Sequence, residues 1–179
     1  MPGESPRAYV IAGVGGLVVA LALTTAWTVA NRPAPSAAAR PAVPAFSLPR
    51  LTGGTVRLAA LRGKVVVIDF WATWCPPCRA ELPWLVRLAQ RLDSKGVVLV
   101  AISEDDPPGQ VPLVTEFARQ VPGLERFAVL GDPEIEARYG VISLPTLFIV
   151  DRRGRLVASF VGAADEARVS AFVSDLAAE

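Results

Sequence analysis

The sequence predicts an α/β domain with a central mixed sheet and helices on both faces, preceded by one transmembrane helix. Three observations lead to this prediction. A segment without any charged residue runs from Ala8 to Asn31. Beyond it, strand-like apolar runs alternate with helical patterns, and a β-hairpin and a helix close the chain. The only two cysteines, Cys75 and Cys78, come shortly after the first long strand pattern.

The N-terminal part of the chain predicts a membrane anchor. Residues 1–8 form a short tail, and residues 9–30 are mostly Val, Leu, Ala and Gly. This stretch is long enough to cross a bilayer as a helix. A signal peptide ending near Thr28-Val29-Ala30 is the alternative, but such peptides have a shorter apolar region. Basic residues flank the stretch almost evenly, so its orientation is inferred from the chemistry of the domain.

Residues 31–44 are rich in Pro and Ala and predict an extended linker, which leaves residues 45–179 as the folded domain. Phe46–Leu48 and Thr55–Leu58 predict short strands around a Gly-Gly turn. Lys64–Phe70 is a continuous apolar run, typical of a strand covered on both faces. From Pro76 to Leu92 apolar residues recur at helical spacing, and Gly96 follows.

The second half of the domain continues the alternation. A second buried strand is predicted at Val97–Ile102, followed by an acidic, Pro-rich loop from Ser103 to Gly109. The closing helix has Asp165 as its expected N-cap. The remaining elements are a helix at Val111–Gln120, a strand at Phe127–Leu130, a helix at Glu134–Tyr139, strands at Leu147–Val150 and Leu156–Val161 joined by a turn, and a helix at Asp165–Leu176.

Composition excludes several classes of function. The net charge is +1 and there is no basic patch, so nucleic-acid binding has no electrostatic support. Histidine is absent and the only methionine is the first residue. A Cys2His2 zinc site, a Cys–His catalytic pair and a His/Met copper site are therefore impossible within this chain. We expect no cofactor and no bound metal, and redox chemistry is the best remaining use of the two cysteines.

The two cysteines are spaced as a redox-active pair at the start of a helix. The helix N-terminus favours a thiolate at Cys75, so we expect it to be the exposed attacking sulfur. Cys78 should be more buried and should resolve the mixed disulfide. A purely structural disulfide is the alternative, but so small a loop gains little stability from it. Pro76 and Pro77 remove two N–H donors, which predicts only a moderately lowered pKa for the Cys75 thiol, as in a reductant.

Two carboxylates are candidates for proton transfer. Asp69 interrupts an apolar strand, and if buried it would have a raised pKa and could exchange protons with Cys78. The alternative is a solvated residue at the strand end. Glu81 lies one turn beyond Cys78, where it either joins the site or pairs with an arginine on the helix surface. Trp74, next to the nucleophile, is predicted to be a surface shield or a partner contact.

These residues resemble the thioredoxin superfamily. The stretch from Asp69 to Cys78, ending in Trp-Cys-Pro-Pro-Cys, is similar to its active-site region. The stretch from Tyr139 to Thr146 is similar to its cis-proline segment. Phe46-x-Leu48-Pro49 and a long segment between Ile102 and Tyr139 resemble membrane-tethered TlpA/ResA-type reductases. Peroxiredoxins share the first of these features, but their Thr-x-x-Cys motif is absent.

The resemblance implies a thioredoxin fold with an N-terminal β extension and an inserted helix-strand unit. It implies that Cys75 is the nucleophile, that Cys78 resolves, and that Pro145 is cis beside them. Glu81 matches an active-site glutamate of ResA-type proteins, and Asp69 matches the buried aspartate of thioredoxin. The backbone before the cis-proline is expected to pair with an extended substrate. The residues predicted to contact that substrate are Trp74, Pro76, Pro77 and Leu144.

The resemblance further implies a single-pass, membrane-anchored thiol–disulfide reductase facing the periplasm or the cell exterior. Its expected substrates are disulfides of apocytochrome c or of copper-site proteins, and its electrons come from a membrane thiol donor. We expect a monomer that binds no nucleic acid. One alternative is an oxidant or isomerase of exported proteins. Another is a non-catalytic chaperone whose dithiol holds Cu(I).

Overall fold

A computed structural model describes residues 40–106 and 108–179. The predicted tail, the predicted anchor at residues 9–30 and most of the predicted linker lie outside the described residues. Within the described part of the chain, no helix is both long enough and apolar enough to span a membrane.

The domain alternates strands and helices along the chain. Short 3-10 turns at Leu58–Leu61, Asp93–Lys95 and Leu124–Arg126 join some of them. The strands are β1 (Ser47–Pro49), β2 (Thr55–Arg57), β3 (Val65–Trp71), β4 (Val97–Ser103), β5 (Ala128–Leu130), β6 (Thr146–Val150) and β7 (Leu156–Val161). The helices are α1 (Pro76–Leu92), α2 (Gln110–Ala118), α3 (Pro133–Tyr139) and α4 (Glu166–Ala178).

The main sheet has five strands in the order β5-β4-β3-β6-β7. β3, β4 and β5 run parallel, whereas β6 pairs antiparallel with both β3 and β7. β1 and β2 form a separate antiparallel pair ahead of it. All seven residues of the central strand β3 are buried, which explains its continuous apolar sequence. The predicted mixed sheet is confirmed.

Side chains of β3 alternate between two apolar cores. Val65, Val67 and Trp71 belong to the core that contains the apolar faces of α1 and α4. Val66, Ile68 and Phe70 belong to the core that contains β1, β2 and α3. Because successive side chains of a strand point to opposite faces, Asp69 lies on the α1 face of the sheet. This alternation places its carboxyl beneath the helix that begins at the two cysteines.

The elements predicted for residues 45–179 are all present, and most of their ends shift by one or two residues. The helix at Pro76–Leu92 has the predicted bounds. Asp165 is the N-cap of α4, and its carboxylate accepts the N–H of Arg168 at 2.8 Å, as predicted. The second helix is displaced toward Gln110 and ends two residues early at Ala118. Its start differs because the Gln110 side chain is buried and donates to the Ser103 carbonyl at 2.9 Å.

The end of the predicted linker is attached to the domain. Ala42 forms an antiparallel bridge with Arg155, and Leu156 N donates to the Pro41 carbonyl at 2.9 Å. The Tyr139 hydroxyl donates to the Pro44 carbonyl at 2.7 Å. The last residues of the predicted linker, just before the predicted domain boundary at residue 45, therefore contact the folded domain. The physical reason is that the start of β7 offers N–H groups that a Pro-rich segment can satisfy with its carbonyls.

Candidate active site

The two cysteines lie where β3 ends and α1 begins. They form a disulfide with their Cα atoms 5.3 Å apart. Cys75 is the N-cap of α1, and its Sγ accepts the N–H of Cys78 at 3.3 Å. Pro76 and Pro77 occupy the first helical positions, where proline costs no hydrogen bond. The disulfide therefore sits at the positive end of the helix dipole.

Cys75 is less exposed than predicted. Only 4% of Cys75 is accessible, and Cys78 is fully buried. Both cysteines belong to the apolar core on the α1 face, because the first turn of α1 packs against the sheet. Cys75 lines a surface cavity, whereas Cys78 is not among the residues that line it. The expected order of attack stays a prediction.

The cavity has a volume of about 610 Å³. It combines the active-site turn, the segment before Pro145 and several acidic side chains. Trp74 is 65% exposed and Ile142 89% exposed at its walls, so large apolar surface faces solvent beside Cys75. The lining residues are Trp74, Cys75, Pro76, Pro77, Glu104, Asp106, Glu136, Ile142, Ser143 and Leu144. The four residues predicted to contact substrate are among them, and their contact with substrate stays a prediction.

Pro145 directly precedes β6, and its neighbour Leu144 lines the same cavity as Cys75. The Leu144–Pro145 peptide bond is cis, as predicted. The Pro145 carbonyl accepts the N–H of Gly162 at 2.9 Å, and Thr146 Oγ1 donates to the Ser143 carbonyl at 2.7 Å. These bonds hold the segment from Ser143 to Pro145 against the end of the sheet. Leu144 lines the same cavity as Cys75, and its pairing with an extended substrate stays a prediction.

Asp69 is buried, as predicted from its apolar neighbours. It is fully inaccessible, and neither carboxyl oxygen has a hydrogen-bond partner among the described residues. Burial raises the pKa of Asp69 well above its usual range, and the nearby Glu81 carboxyl raises it further. A carboxyl group in this state can hold a proton at neutral pH and exchange it with a neighbouring thiol. Its catalytic role stays a prediction.

Glu81 also belongs to the buried side of α1. It is 3% exposed, so the alternative of a surface glutamate paired with arginine is wrong. Its Oε2 accepts the N–H of Ala164 at 3.0 Å, while Oε1 is buried without a partner. Burial raises the pKa of Glu81, and the hydrogen bond from Ala164 partly opposes this. The structure thus brings two carboxyls together on the α1 face.

A third acid, Glu104, was missed in the sequence. It follows β4 directly, and its N–H donates to the Trp71 carbonyl at 2.7 Å. Its Oε1 is buried without a partner, and a Cβ at Gly131 would lie 2.8 Å from that oxygen. Burial and the neighbouring carboxyl of Glu136 raise the pKa of Glu104 to about 8. Its position directly after a parallel strand could have indicated that it belongs to the site, because ligands of open α/β sheets bind at the carboxyl ends of the strands.

Asp105 anchors the active-site turn. It is 2% exposed, and its carboxylate accepts the N–H of Thr73 at 3.0 Å and the Thr73 hydroxyl at 2.5 Å. It also accepts the Ser103 hydroxyl at 2.8 Å. The Asp105 carboxylate therefore links the turn that contains Trp74 and Cys75 to the end of β4 by hydrogen bonds. In the sequence, Asp105 is recognisable only as part of an acidic loop.

Replacing Asp105 by alanine is expected to destabilise the domain by about 2 to 3 kcal/mol, because it leaves the buried Ser103 hydroxyl and the half-buried N–H and hydroxyl of Thr73 without their acceptor. Urea unfolding followed by tryptophan fluorescence measures this change. Asp106→Ala is the matched control, since Asp106 is exposed and its truncation should change stability by less than about 0.5 kcal/mol. Equal effects of the two substitutions would contradict the anchoring role.

Known proteins resemble the chain along the same region. Residues 40–159 match the model of the AhpC/TSA family. The thiol-disulfide oxidoreductase ResA of Bacillus thuringiensis is 33% identical over 120 residues, which are 66% of this chain and 67% of that protein. ResA of Oceanobacillus iheyensis is 32% identical over 142 residues, covering 76% of this chain and 71% of its own.

Two solved structures extend the comparison to the fold. A thiol:disulfide interchange protein described as a putative DsbE, from Chlorobium tepidum, superposes with a TM-score of 0.69 at 32% identity, covering 77% of this chain and 96% of that one. A secreted disulfide oxidoreductase of Mycobacterium tuberculosis superposes with a TM-score of 0.61 at 29% identity, covering 73% and 96%. Together with the disulfide at the start of α1, these matches show that the chain belongs to the AhpC/TSA family and is a thiol-disulfide oxidoreductase of the ResA and DsbE type.

Proposed function

We propose that this protein is a membrane-tethered reductase that acts outside the cytoplasm on disulfides of exported proteins. Its proposed substrates are disulfides formed by the cysteine pairs of apocytochrome c or of copper-site proteins. A membrane thiol donor then reduces the Cys75–Cys78 disulfide back to the dithiol. The observation that carries the proposal is the local environment of Cys75 Sγ. It accepts the N–H of Cys78, whereas Pro76 and Pro77 have no N–H to donate.

This environment favours a reductant over an oxidant. A dithiol becomes a strong oxidant when its reduced form is stabilised, which the protein achieves by stabilising the thiolate. Here the two prolines withhold N–H donors from the Cys75 sulfur. The reduced form is thus weakly stabilised, so the pair tends to pass its electrons to a substrate disulfide.

The reaction proceeds by two exchanges of sulfur partners. The Cys75 thiolate attacks a substrate disulfide, forms a mixed disulfide and releases one substrate thiolate. Cys78 then loses its proton to a buried carboxyl and attacks Cys75 Sγ. The Cys75–Cys78 disulfide forms, and the second substrate thiolate leaves. Two electrons pass from the enzyme to the substrate, and each released thiolate takes up a proton.

The location outside the cytoplasm rests on the N-terminal sequence. Residues 9–30 carry no charge and suffice in length for one membrane crossing. With the N-terminus inside, residues 31–39 lead to a domain on the outer side. The similarity to a secreted mycobacterial oxidoreductase is in keeping with this side of the membrane. The proposed form of the protein is a monomer on a single anchor.

A trapping experiment tests the proposal. With Cys78→Ser, the attack by Cys75 can occur but the resolving step cannot. The full-length variant expressed in bacteria should therefore accumulate mixed disulfides with exported proteins, which dithiothreitol releases. The matched control is the double variant Cys75→Ser/Cys78→Ser, which should capture no partner. Adducts with cytoplasmic proteins alone, or adducts that form without Cys75, would contradict the proposal.

A further inference from the structure

We propose that the acidic wall of the cavity beside Cys75 selects disulfides flanked by a lysine or an arginine. The inference rests on the proposed reductase function and adds a class of substrate to it. The acidic wall consists of Glu104, Asp106 and Glu136, which line the same cavity as Cys75. It lies apart from the buried Asp69 and Glu81, which are not among the lining residues.

The acidic wall has no cationic counterpart in the cavity. No lysine or arginine is among the residues that line it in the described part of the chain. Glu104 Oε1 is buried and lacks a hydrogen-bond partner there. Burial raises the pKa of Glu104 to about 8, together with the charge of the Glu136 carboxyl, a hydrogen bond with that carboxyl, and the charges of Asp132 and Asp105. A cation entering the cavity would lower the pKa of Glu104, offset the repulsion among the ionised carboxyls and supply a donor to Oε1.

The rest of the cavity suits the stem of a long basic side chain. Trp74, Ile142 and Leu144 provide apolar surface between the disulfide and the acidic wall. Lysine and arginine lay their methylene stems along such surface and keep the charged head in a polar environment. The cavity therefore offers an apolar surface for the stem of one basic residue and an acidic wall for its charged head.

The position of that residue follows from the dimensions of the chain. Cys75 and Glu104 line a single cavity of about 610 Å³, so a peptide whose cysteine meets Cys75 places its neighbours inside the same space. One extended residue advances the chain by about 3.3 to 3.6 Å. A side chain within one or two positions of the attacked cysteine can therefore reach the acidic wall.

Symmetric disulfide dimers of a short peptide test the inference. Each peptide has one cysteine flanked by lysine, by glutamine or by glutamate, and the symmetry makes both sulfurs equivalent. The full-length reduced protein reacts with each dimer at low ionic strength, and kcat/KM is measured for each. This value is divided by the rate constant with which dithiothreitol reduces the same dimer, which corrects for the intrinsic reactivity of the disulfide. We expect the lysine peptide to exceed the glutamine peptide about tenfold, with the glutamate peptide lowest.

Variants then assign the preference to the acidic wall. Glu104→Gln combined with Glu136→Gln should bring the ratio of the lysine to the glutamine peptide close to one. Asp106→Asn, at an exposed position, should lower the ratio about twofold to threefold and serves as a second test if the double variant does not fold. Glu125→Gln is the matched control, because Glu125 is exposed and lines a different cavity, and it should keep the full ratio.

The outcomes separate the inference from the function on which it rests. Equal reduction of the three peptides, or a preference that survives both the double variant and Asp106→Asn, overturns the acidic wall as selector and leaves the reductase intact. Failure to reduce any of the peptides overturns the proposed function and the inference with it. A preference for the glutamate peptide also overturns the inference.

Discussion

Replacement of Cys75 by serine is expected to lower the rate of disulfide reduction by about a thousandfold or more. The thiolate is the nucleophile in thiol–disulfide exchange, and a serine hydroxyl is not ionised at neutral pH. Cys75 is the cysteine that lines the cavity, so no other sulfur can meet a substrate there in the described part of the chain. Steady-state reduction of a model disulfide measures the loss.

Cys78→Ser is the matched control for that substitution. It removes one sulfur atom from the same disulfide, but from the fully buried position. In a single turnover it should form the mixed disulfide at close to the wild-type rate and then stop. If Cys78→Ser instead abolished the first attack while Cys75→Ser retained it, the assigned order of the two sulfurs would be reversed.

Replacement of Asp69 by asparagine is expected to slow the resolving step about a hundredfold, the range of general base catalysis. The carboxyl is fully buried and unpartnered on the α1 face, and asparagine keeps its shape but cannot take a proton. Formation of the mixed disulfide should change little. Rapid-mixing measurement of substrate release across pH separates the two steps.

The wild-type resolving rate should rise with pH as Asp69 ionises, because only the ionised carboxyl accepts the Cys78 proton. The asparagine variant should lose this rise. Glu81→Gln is the control, since Glu81 is the other buried carboxyl on the same face. A pH profile altered by Glu81→Gln and not by Asp69→Asn would assign the proton transfer to Glu81 instead.

The same carboxyl should make the domain less stable as pH rises. Its pKa is raised in the folded state, so the folded protein holds a proton that the unfolded chain releases. Stability is therefore highest below the ordinary aspartate pKa and declines above it. Glu104, whose pKa rises from 4.5 to about 8, adds to the decline over that window. Urea unfolding from pH 5 to 8 should show this decline, and Asp69→Asn should reduce it.

The sequence predicted the elements whose pattern is local. The continuous apolar run of β3 and the leucine spacing of α1 identify a buried strand and an amphipathic helix without reference to the rest of the chain. Burial of Asp69 was predictable for the same reason, because its immediate neighbours are apolar. The resemblance to a known family then supplied the cis geometry of Pro145, which local pattern alone leaves open.

The features that the sequence missed depend on contacts between distant residues. Helical spacing alone could not decide whether Glu81 faces the active site or the helix surface. Its N–H donor in the structure, Ala164, is 83 positions away in the sequence. Glu104 enters the site because the register of β3 and β4 pairs Trp71 with Ser103. The low exposure of Cys75 follows from how α1 lies on the sheet. None of these relations has a local sequence pattern.

The reduction potential of the Cys75–Cys78 pair tests the central claim most directly. Equilibration of the full-length protein with defined thiol–disulfide buffers, followed by alkylation and mass measurement, gives its value. A weakly stabilised thiolate at Cys75 predicts a potential near that of thioredoxin, about −270 mV. A potential near about −120 mV, that of a strong oxidant, would contradict the assignment of this protein as a reductase.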